Sequence, residues 1–307
     1  MAGVRIEFAQ FGYFSSFDIL RSITPMSGLA DNQFPTPIAT DLKSMYYVDA
    51  QVSEGTTYYY MIRVWADDGN YLLSDEFSIL VQVNDPLWDD VLSLLHFEGN
   101  FNDEKGNIWG TFGIDQGNMP RLTTVNPLFG SGSLDANPDQ LNYSEHGLQT
   151  SALLGLPFTG DFTIEWFQNI RSWNNPMYQA ALCNGYQVTG GITAVTGLRD
   201  GRYALYSGTT LICTEATMGP VNTRVHYAIT RTGANVSIWR GGELSASGTF
   251  AGPMGLSNRG FALGAYSSDS GALGQMLNGL IDEFRITKGR ARYIEQFSPP
   301  DLPFPSK

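Results

Sequence analysis

Apolar and polar residues alternate along most of this chain, in short runs that suit β-strands. In the run DFTIEWFQNI, a period of two residues places Phe162, Ile164 and Trp166 on one face of a strand. The runs MYYVDAQV and TTYYYMIRVWA are rich in the aromatic and β-branched residues that strands favour. No segment keeps the helical period of 3.6 over roughly 11 residues. The pattern therefore predicts an all-β protein.

Turn residues divide these runs into hairpins. The segment RVHYAITRTGANVSIWRGGELSASG is predicted to form two hairpins in series, because TGAN and RGGE carry glycine where a positive φ is needed. From Val91 to the C-terminus the pattern gives about twelve to fourteen strands, which fits a two-sheet jelly-roll sandwich.

The chain divides into two predicted domains. Residues 1–84 contain several short strands and form the first domain. Residues 85–90 form a linker, in which Pro86 interrupts any strand. A new strand pattern begins after the linker, and residues 91–307 form the second domain. A chain of 307 residues is long enough for this arrangement.

The composition excludes several classes of function. The net charge is −12, and a surface this acidic repels phosphate backbones, so we expect no nucleic-acid partner. No apolar run approaches the roughly 18 residues that span a membrane, so we expect no membrane insertion. The two cysteines, Cys183 and Cys213, are too few for a disulfide scaffold. We expect both to be free thiols, although their spacing leaves pairing open.

The first domain carries a run that resembles a known module. The segment VSEGTTYYYMIRVWADDGN resembles strands E, F and the start of G in fibronectin type III domains, where a glycine turn precedes a Thr-Tyr-x-Tyr run. The matching residues here are Thr57, Tyr58, Tyr60, Ile62 and Val64. The tryptophan on an early strand of that family is missing. The resemblance implies a fibronectin type III-like sandwich that serves as a spacer or docking domain.

The second domain resembles the concanavalin A-like, laminin G-like jelly rolls of bacteriophage structural proteins. The resemblance rests on LLHFEGNFNDEKGN, GSGSL, DFTIEWF and FALGAY, in that order, and above all on the closing stretch GLIDEFRITKGRARYIEQFSPPDLPFP. It covers residues 91–307, except that residues 171–220 match nothing in the family.

This resemblance implies a virion protein that attaches a phage to host-surface glycans without cleaving them, in the tail rather than on the capsid surface. The fibronectin-like domain would dock to other virion proteins, and the protein would form a homo-oligomer because virion parts repeat around axes. The start MAGVRIEFAQFGYF lacks the features of a signal peptide, so we expect synthesis in the host cytoplasm and assembly into the particle. A capsid-surface decoration protein and a glycan-cleaving enzyme are the alternatives.

The acidic residues do not form the carboxylate pair of a glycosidase, which a retaining enzyme holds about 5–5.5 Å apart. The run IEWFQNI supplies Glu165 alone. Alternation along IDEFRI sends Asp282 and Glu283 to opposite faces of a strand, with Asp282 on the more apolar face. There is no Gly-x-Ser-x-Gly motif, and the 3 histidines lack metal-binding spacing. We therefore expect no enzyme activity.

A structural calcium ion is a further possibility, because laminin G-like sandwiches often carry one near strand ends. Calcium binds carboxylate and carbonyl oxygens. The first and last strands of such a domain commonly lie together, which predicts that Glu98, Asp103 and Asp282 converge. The alternative is that Asp282 caps backbone amides of a loop and Asp103 is a turn residue.

Two segments carry the aromatic and amide side chains that bind sugars on β-sandwiches. Both are predicted loops, where such sites are usually placed. The candidate ligand-binding residues are Trp173, Asn174, Asn175 and Tyr178 in NIRSWNNPMYQ, and Tyr266 and Asp269 in AYSSDSGAL. The alternative for Trp173 and Tyr178 is that they fill the rim of the core or a subunit contact.

Overall fold

The computed structural model describes most of the chain and is all-β there. It describes residues 3–9, 12–53, 55–81, 85–113, 119–140, 146–151, 154–173, 178–185, 191–196, 200–255, 260–267, 273–274 and 276–306, with the backbone alone at 112–113, 266–267 and 273–274. These residues contain no α-helix, which confirms the predicted fold class. In the same ranges, no helix is long and apolar enough to cross a membrane.

The chain folds as two compact units, divided between Pro86 and Leu87. The first comprises Met1–Pro86 with Pro305–Lys307, and the second comprises Leu87–Phe304. The strands of the first unit are β1 (Val4–Glu7), β2 (Ser16–Ser22), β3 (Ala39–Leu42), β4 (Tyr46–Asp49), β5 (Thr57–Trp65), β6 (Tyr71–Leu73) and β7 (Phe77–Leu80), with a 3-10 helix at Asp31–Gln33.

The first unit is a small sandwich. Strands β1 and β4 pair with each other, and a second sheet has the order β3-β2-β5-β6, with β7 also beside β5. Alternation along β2 and β5 buries one apolar face of the second sheet against β1. The resulting core consists of Val4, Ile6, Phe17, Ile19, Tyr58, Tyr60, Ile62 and Val81.

The second unit begins with a 3-10 helix at Trp88–Asp90 and continues as strands throughout. These are β8 (Val91–Leu95), β9 (Trp109–Gly113), β10 (Arg121–Thr123), β11 (Ser133–Asp135), β12 (His146–Thr150), β13 (Phe162–Ile170), β14 (Ala180–Cys183), β15 (Ile192–Thr196), β16 (Tyr203–Ser207), β17 (Thr210–Thr214), β18 (Val225–Thr232), β19 (Asn235–Arg240), β20 (Glu243–Thr249), β21 (Ala262–Leu263), β22 (Tyr266–Ser267), β23 (Leu273–Gly274) and β24 (Gly279–Lys288).

Two large antiparallel sheets make this unit a sandwich. In the described ranges, one sheet has eight strands in the order β10-β11-β24-β13-β18-β19-β20, with β8 also beside β24. The other has seven strands in the order β17-β16-β15-β14-β21-β12-β9, while β22 and β23 pair separately. Strands β18, β19 and β20 follow one another as neighbours, so the two predicted hairpins are confirmed. The cysteines lie on β14 and β17, and no disulfide joins them.

The core lies between the two sheets. Phe162, Ile164 and Trp166 of β13 enter it, as the alternating pattern predicts, and they meet side chains such as Leu182 and Leu205 from the seven-stranded sheet. The eight-stranded sheet has a second, outer face, turned away from this core. A separate apolar cluster packs on the outer face and consists of Val91, Leu94, Leu128, Phe129, Phe167, Leu280 and Phe304.

A β-bulge in β24 corrects one prediction from the sequence. Glu165 pairs with Arg285 but Phe167 pairs with Asp282, so the register shifts by one residue between them. Glu283 takes up this shift with φ 50°, a backbone region that is rare for residues other than glycine. The shift reverses the alternation: Phe284 lies in the core, whereas Leu280 lies on the outer face. Strict alternation predicts that Asp282 lies on the core face with Phe284. The bulge places it on the outer face instead.

The C-terminal segment 289–304, here called the strap, covers part of the outer face. Within it, the rings of Tyr293 and Phe297 stack with centroids 3.6 Å apart. Phe297 also meets Trp239 edge-on, and Phe304 lies over the Arg285 guanidinium at 3.9 Å. The rings of Tyr293, Phe297 and Phe304 thus hold the strap on the outer face.

Candidate functional site

A polar cleft of about 390 Å³ opens on the outer face of the eight-stranded sheet. It lies where β10, β11, β24 and β13 are neighbours, beside the apolar cluster that contains Leu280. Its lining residues are Thr123, Val125, Asn126, Asp135, Asn169, Arg171, Asn222 and Leu280, and this set is called the cleft below.

Strand register brings these distant residues together. Asn169 of β13 pairs with Leu280 of β24, and Leu280 pairs with Asp135 of β11. Paired residues in antiparallel strands place their side chains on the same face of the sheet. Arg171 follows β13 directly, and its backbone N–H donates to the Asn278 carbonyl at 2.9 Å. The floor of the cleft is therefore rigid sheet.

One ion pair sets the charge of the cleft. Nη2 of Arg171 donates to Oδ2 of Asp135, and Nη1 lies 3.5 Å from the Asn137 carbonyl oxygen. The other Asp135 oxygen accepts from the Asn137 backbone N–H at 3.2 Å. Asp135 is buried and Arg171 is half-buried. Since the described lining residues include no other charged side chain, their charges cancel.

Three asparagine amides surround this ion pair. Among the described residues, Asn126, Asn169 and Asn222 make no side-chain hydrogen bond to another protein group. Asn126 and Asn222 have φ of 51° and 53°, in the left-handed region that asparagine tolerates better than most residues. The Asn222 backbone N–H donates to the Ile170 carbonyl at 2.7 Å, which fixes its loop at the rim.

The cleft can form many hydrogen bonds but has little acid–base chemistry. Each amide offers two donors and an acceptor, and the Thr123 hydroxyl both donates and accepts. Asp135 is the one carboxylate among the described lining residues, and it is already paired with Arg171. A surface of this kind suits a ligand that carries several hydroxyl groups.

The structure describes the side chains of two of the six predicted ligand-binding residues, Trp173 and Tyr178. Trp173 is 4% exposed, and its Nε1 donates to the Gly219 carbonyl at 2.8 Å, so it belongs to the core rather than to a binding loop. Tyr178 is 42% exposed and is not among the described residues that line the cleft. Asn174, Asn175 and Asp269 lie outside the described residues, and only the backbone of Tyr266 is described, in β22.

The three acids predicted to converge on a calcium ion, Glu98, Asp103 and Asp282, each accept hydrogen bonds from protein groups. In the described ranges, no three His, Cys, Asp or Glu side chains are arranged to hold a metal ion. Asp103 is buried and accepts hydrogen bonds from β8, from its own turn and from β9. Its donors are Ser93 Oγ, Leu94 N, Lys105 N, Asn107 Nδ2 and Trp109 Nε1. Its oxygens are thus already occupied.

Glu98 and Asp282 instead hold one loop from two sides. Strands β8 and β24 do pair, as predicted for the first and last strands of this domain. Asp282 accepts from the Phe129 backbone N–H at 3.0 Å and the Ser133 hydroxyl at 2.7 Å. Glu98 accepts from the Ser131 backbone N–H at 2.7 Å. The alternative interpretation of Asp282, as a cap for loop amides, fits these contacts.

Burial has a large effect on Asp282. Loss of hydration raises its pKa to about 8, against the opposing effect of the Ser133 hydrogen bond and with a further increase from the neighbouring Glu283. Glu283 accepts from His96 Nδ1 at 2.8 Å and from the Phe304 backbone N–H at 2.8 Å. Asp282 and Glu283 thus both contact residues around the outer cluster. Alternation predicts that these two side chains lie on opposite faces of the strand, but the bulge prevents this.

Glu165 lies at the centre of a buried charge network beneath the strap. One carboxylate oxygen accepts from Arg285 Nε at 2.9 Å, with Arg292 Nε at 3.6 Å. The other accepts from the Tyr293 hydroxyl at 2.8 Å and lies 3.1 Å from His226 Nε2. Burial alone would raise the pKa of Glu165, but Arg285, His226 and Arg292 lower it to about 2. This carboxylate is fully buried and engaged with protein groups.

The residues of the cleft were not predicted from the sequence. They come from separate segments that the strand register aligns, and the register contains a bulge that alternation does not show. A local signal exists only for Asn126 and Asn222, since asparagine is frequent in turns that need a positive φ.

Comparisons with known proteins agree with the fold of the second unit. Residues 142–292 match the family model Laminin_G_3, described as the concanavalin A-like lectin/glucanases superfamily. A search of curated proteins gives no match.

Several solved structures are similar to this chain at low sequence identity. Domain 4 of AbnA, a GH43 extracellular arabinanase from Geobacillus stearothermophilus, in complex with arabinotriose, is 19% identical, with 65% of this chain and 93% of that chain covered and a TM-score of 0.49. Carbohydrate-binding module CBM66 from Bacillus subtilis is 16% identical, with 57% and 94% covered and a TM-score of 0.31. The IT-sialidase CBM40 of Ruminococcus gnavus, bound to α2,3-sialyllactose, is 14% identical, with 47% and 81% covered and a TM-score of 0.36.

The two-sheet architecture and the match to the family model lead to the same assignment. The second unit of this chain contains a concanavalin A-like, laminin G-like jelly-roll domain.

Proposed function

We propose that this protein is a non-enzymatic glycan-binding protein that attaches a phage particle to the surface of its host. The observation that carries the glycan-binding part is the cleft. Three asparagine amides without other described partners surround an ion pair on a rigid sheet, and hydroxyl-rich ligands match these groups. A family that includes lectins gives further support.

Two features favour binding over cleavage. The cleft contains one carboxylate, whereas glycoside hydrolysis usually needs two that flank the scissile bond. The other acids considered, Glu165 and Asp282, are buried and hydrogen-bonded to protein groups. We therefore propose retention of the glycan without chain shortening.

The sequence of β24 and the strap resembles phage jelly-roll domains, which supports a place for this protein in a phage particle. In this proposal the protein belongs to the tail, and its first unit is a fibronectin type III-like docking domain that binds other virion proteins. Immunogold labelling of phage particles with antibodies against this chain tests the location. Label on the tail supports the proposal, label on the capsid favours a decoration protein, and unlabelled particles contradict both.

Glycan binding is tested by affinity electrophoresis of the full chain through gels that contain mannan, arabinan, polygalacturonate or alginate. We expect retardation in at least one gel. Asn169→Ala and Asn222→Gly should each weaken binding roughly three- to tenfold, because each removes an amide that bonds the ligand. Glycine at 222 keeps the left-handed backbone unstrained.

Gln140→Gly is the matched control for Asn222→Gly. Gln140 also has a positive φ, at 52°, and it does not line the cleft. Migration of this variant should equal that of the wild type. Unchanged migration of both cleft variants would remove the cleft from the proposal, and new reducing ends after incubation would favour the glycan-cleaving alternative.

A further inference from the structure

We infer that the cleft selects neutral sugars over acidic ones, and that Asp135 is the residue that sets this selectivity. The inference rests on the proposed glycan-binding function and adds the chemical class of the ligand. It starts from Arg171, the one cation among the described lining residues, whose guanidinium is the kind of group that binds the carboxylate of a uronic or sialic acid.

Asp135 already forms an ion pair with Arg171. Nη2 of Arg171 contacts Oδ2 of Asp135 directly, so a ligand carboxylate would have to replace this contact or approach both groups together. The second case brings two carboxylates close to each other in a partly buried place, which is unfavourable. An acidic sugar therefore gains little from Arg171.

The fold prevents Asp135 from moving aside. The residue lies within β11, between Arg121 of β10 and Leu280 of β24, and its side chain is buried. The Asn137 backbone N–H holds its second oxygen at 3.2 Å. Strand pairing on both sides and this hydrogen bond therefore hold Asp135 in the position where it contacts Arg171.

Neutral hydroxyl groups suit the other polar residues of the lining, which are uncharged. A sugar hydroxyl both donates and accepts, as do the amides of Asn126, Asn169 and Asn222. The described lining has no aromatic ring, so the orientation of the ligand depends on hydrogen bonds rather than on stacking. The net charge of −12 also repels acidic polymers at long range, although salt screens this effect beyond about 8 Å at physiological ionic strength.

The test compares neutral polymers (mannan and arabinan) with acidic polymers (polygalacturonate and alginate), using the full-length chain at low and at physiological salt. We expect the wild type to be retarded by a neutral polymer and not by the acidic ones. Asp135→Asn exposes the charge of Arg171, and it should raise affinity for the acidic polymers by about five- to tenfold at low salt, with a smaller gain when salt is added.

The double variant Asp135→Asn/Arg171→Gln is the matched control, because it removes both charges and leaves the cleft neutral. It should lose the gain for acidic polymers. A thermal melt of each variant shows whether it is folded, and the wild type alone decides the preference if Asp135→Asn does not fold. Binding of acidic polymers by the wild type as tightly as neutral ones would overturn the inference but keep the proposed function. Binding of none of the four polymers would overturn both.

Discussion

Asp282 makes the stability of the second unit depend on pH. Its pKa is raised to about 8 by burial, so between roughly pH 4 and 8 the folded protein holds a proton that the unfolded chain has lost. The stabilising effect of this proton is fully present below the unfolded pKa and is lost as pH rises through 8. We expect the free energy of unfolding to fall by up to about 1.4 kcal/mol per pH unit in this window.

Asp282→Asn isolates this effect in urea titrations from pH 5 to 8. The variant loses one acceptor and should be less stable by about 1–3 kcal/mol at pH 5. It cannot titrate at this position, so its deficit should shrink as pH rises. His96 contributes in the same direction in both proteins: burial opposes its protonation, but Glu283 raises its pKa. A deficit that stays constant from pH 5 to 8 would show that Asp282 is ionised throughout.

Glu165 has the opposite character, because its neighbours stabilise the charged form and lower its pKa to about 2. Its contribution to stability is present above the unfolded pKa and is lost as pH falls toward 2. At neutral pH, Glu165→Gln removes the buried negative charge that pairs with Arg285 and Arg292 and should destabilise the unit by about 3–5 kcal/mol. The measurement is the urea midpoint.

Glu243→Gln is the control for that substitution. Glu243 is an exposed residue of β20, in the same sheet, and its replacement should change stability by less than about 0.5 kcal/mol. An equally small effect of Glu165→Gln would contradict a stabilising role for the buried network.

At the level of elements, the sequence predicts where strands lie better than it predicts which face of the sheet each side chain occupies. The alternating run of β13 correctly places Phe162, Ile164 and Trp166 in the core, although both faces of this strand are buried. The glycine turns on either side of β19 form hairpins as expected. The register shift at Glu283 is different. A bulge depends on how two strands fit around Trp166 in three dimensions, and a period-two pattern contains no sign of it. The cleft could not be predicted for the same reason, because its residues become neighbours through the register of β11, β24 and β13.

The strap is the element whose removal should most disturb the outer face. Phe304 is buried, lies over Arg285 and donates its backbone N–H to Glu283. Phe304→Ala removes the ring from this site and should destabilise the second unit by about 3–5 kcal/mol. It should also speed tryptic cleavage in the strap, where Arg290 and Arg292 are the target residues.

Ile294→Ala provides a control within the strap, because Ile294 is 72% exposed and should affect neither stability nor cleavage. Equal rates of tryptic cleavage for Phe304→Ala and the wild type would mean that Phe304 does not anchor the strap.

At the scale of the whole molecule, each unit has its own apolar core. The first core includes Phe17 and Ile19, and the second includes Phe162 and Phe284. Units with separate cores can unfold separately, so we expect two transitions in a calorimetric scan of the full chain. The charge network around Glu165 lies in the second unit, and the effect of its removal should therefore be confined to one transition.

Two substitutions assign the transitions. Ile19→Val removes one methylene group from the first core, costs about 0.5–1.5 kcal/mol, and should lower one midpoint by roughly 2–12 °C. Glu165→Gln should lower the other by roughly 6–20 °C, because a larger unit shifts less for each kcal/mol lost. If either variant moves both midpoints together, the two units unfold as one cooperative body. In that case, the pH dependence of Asp282 would extend to the entire chain instead of the jelly-roll domain alone.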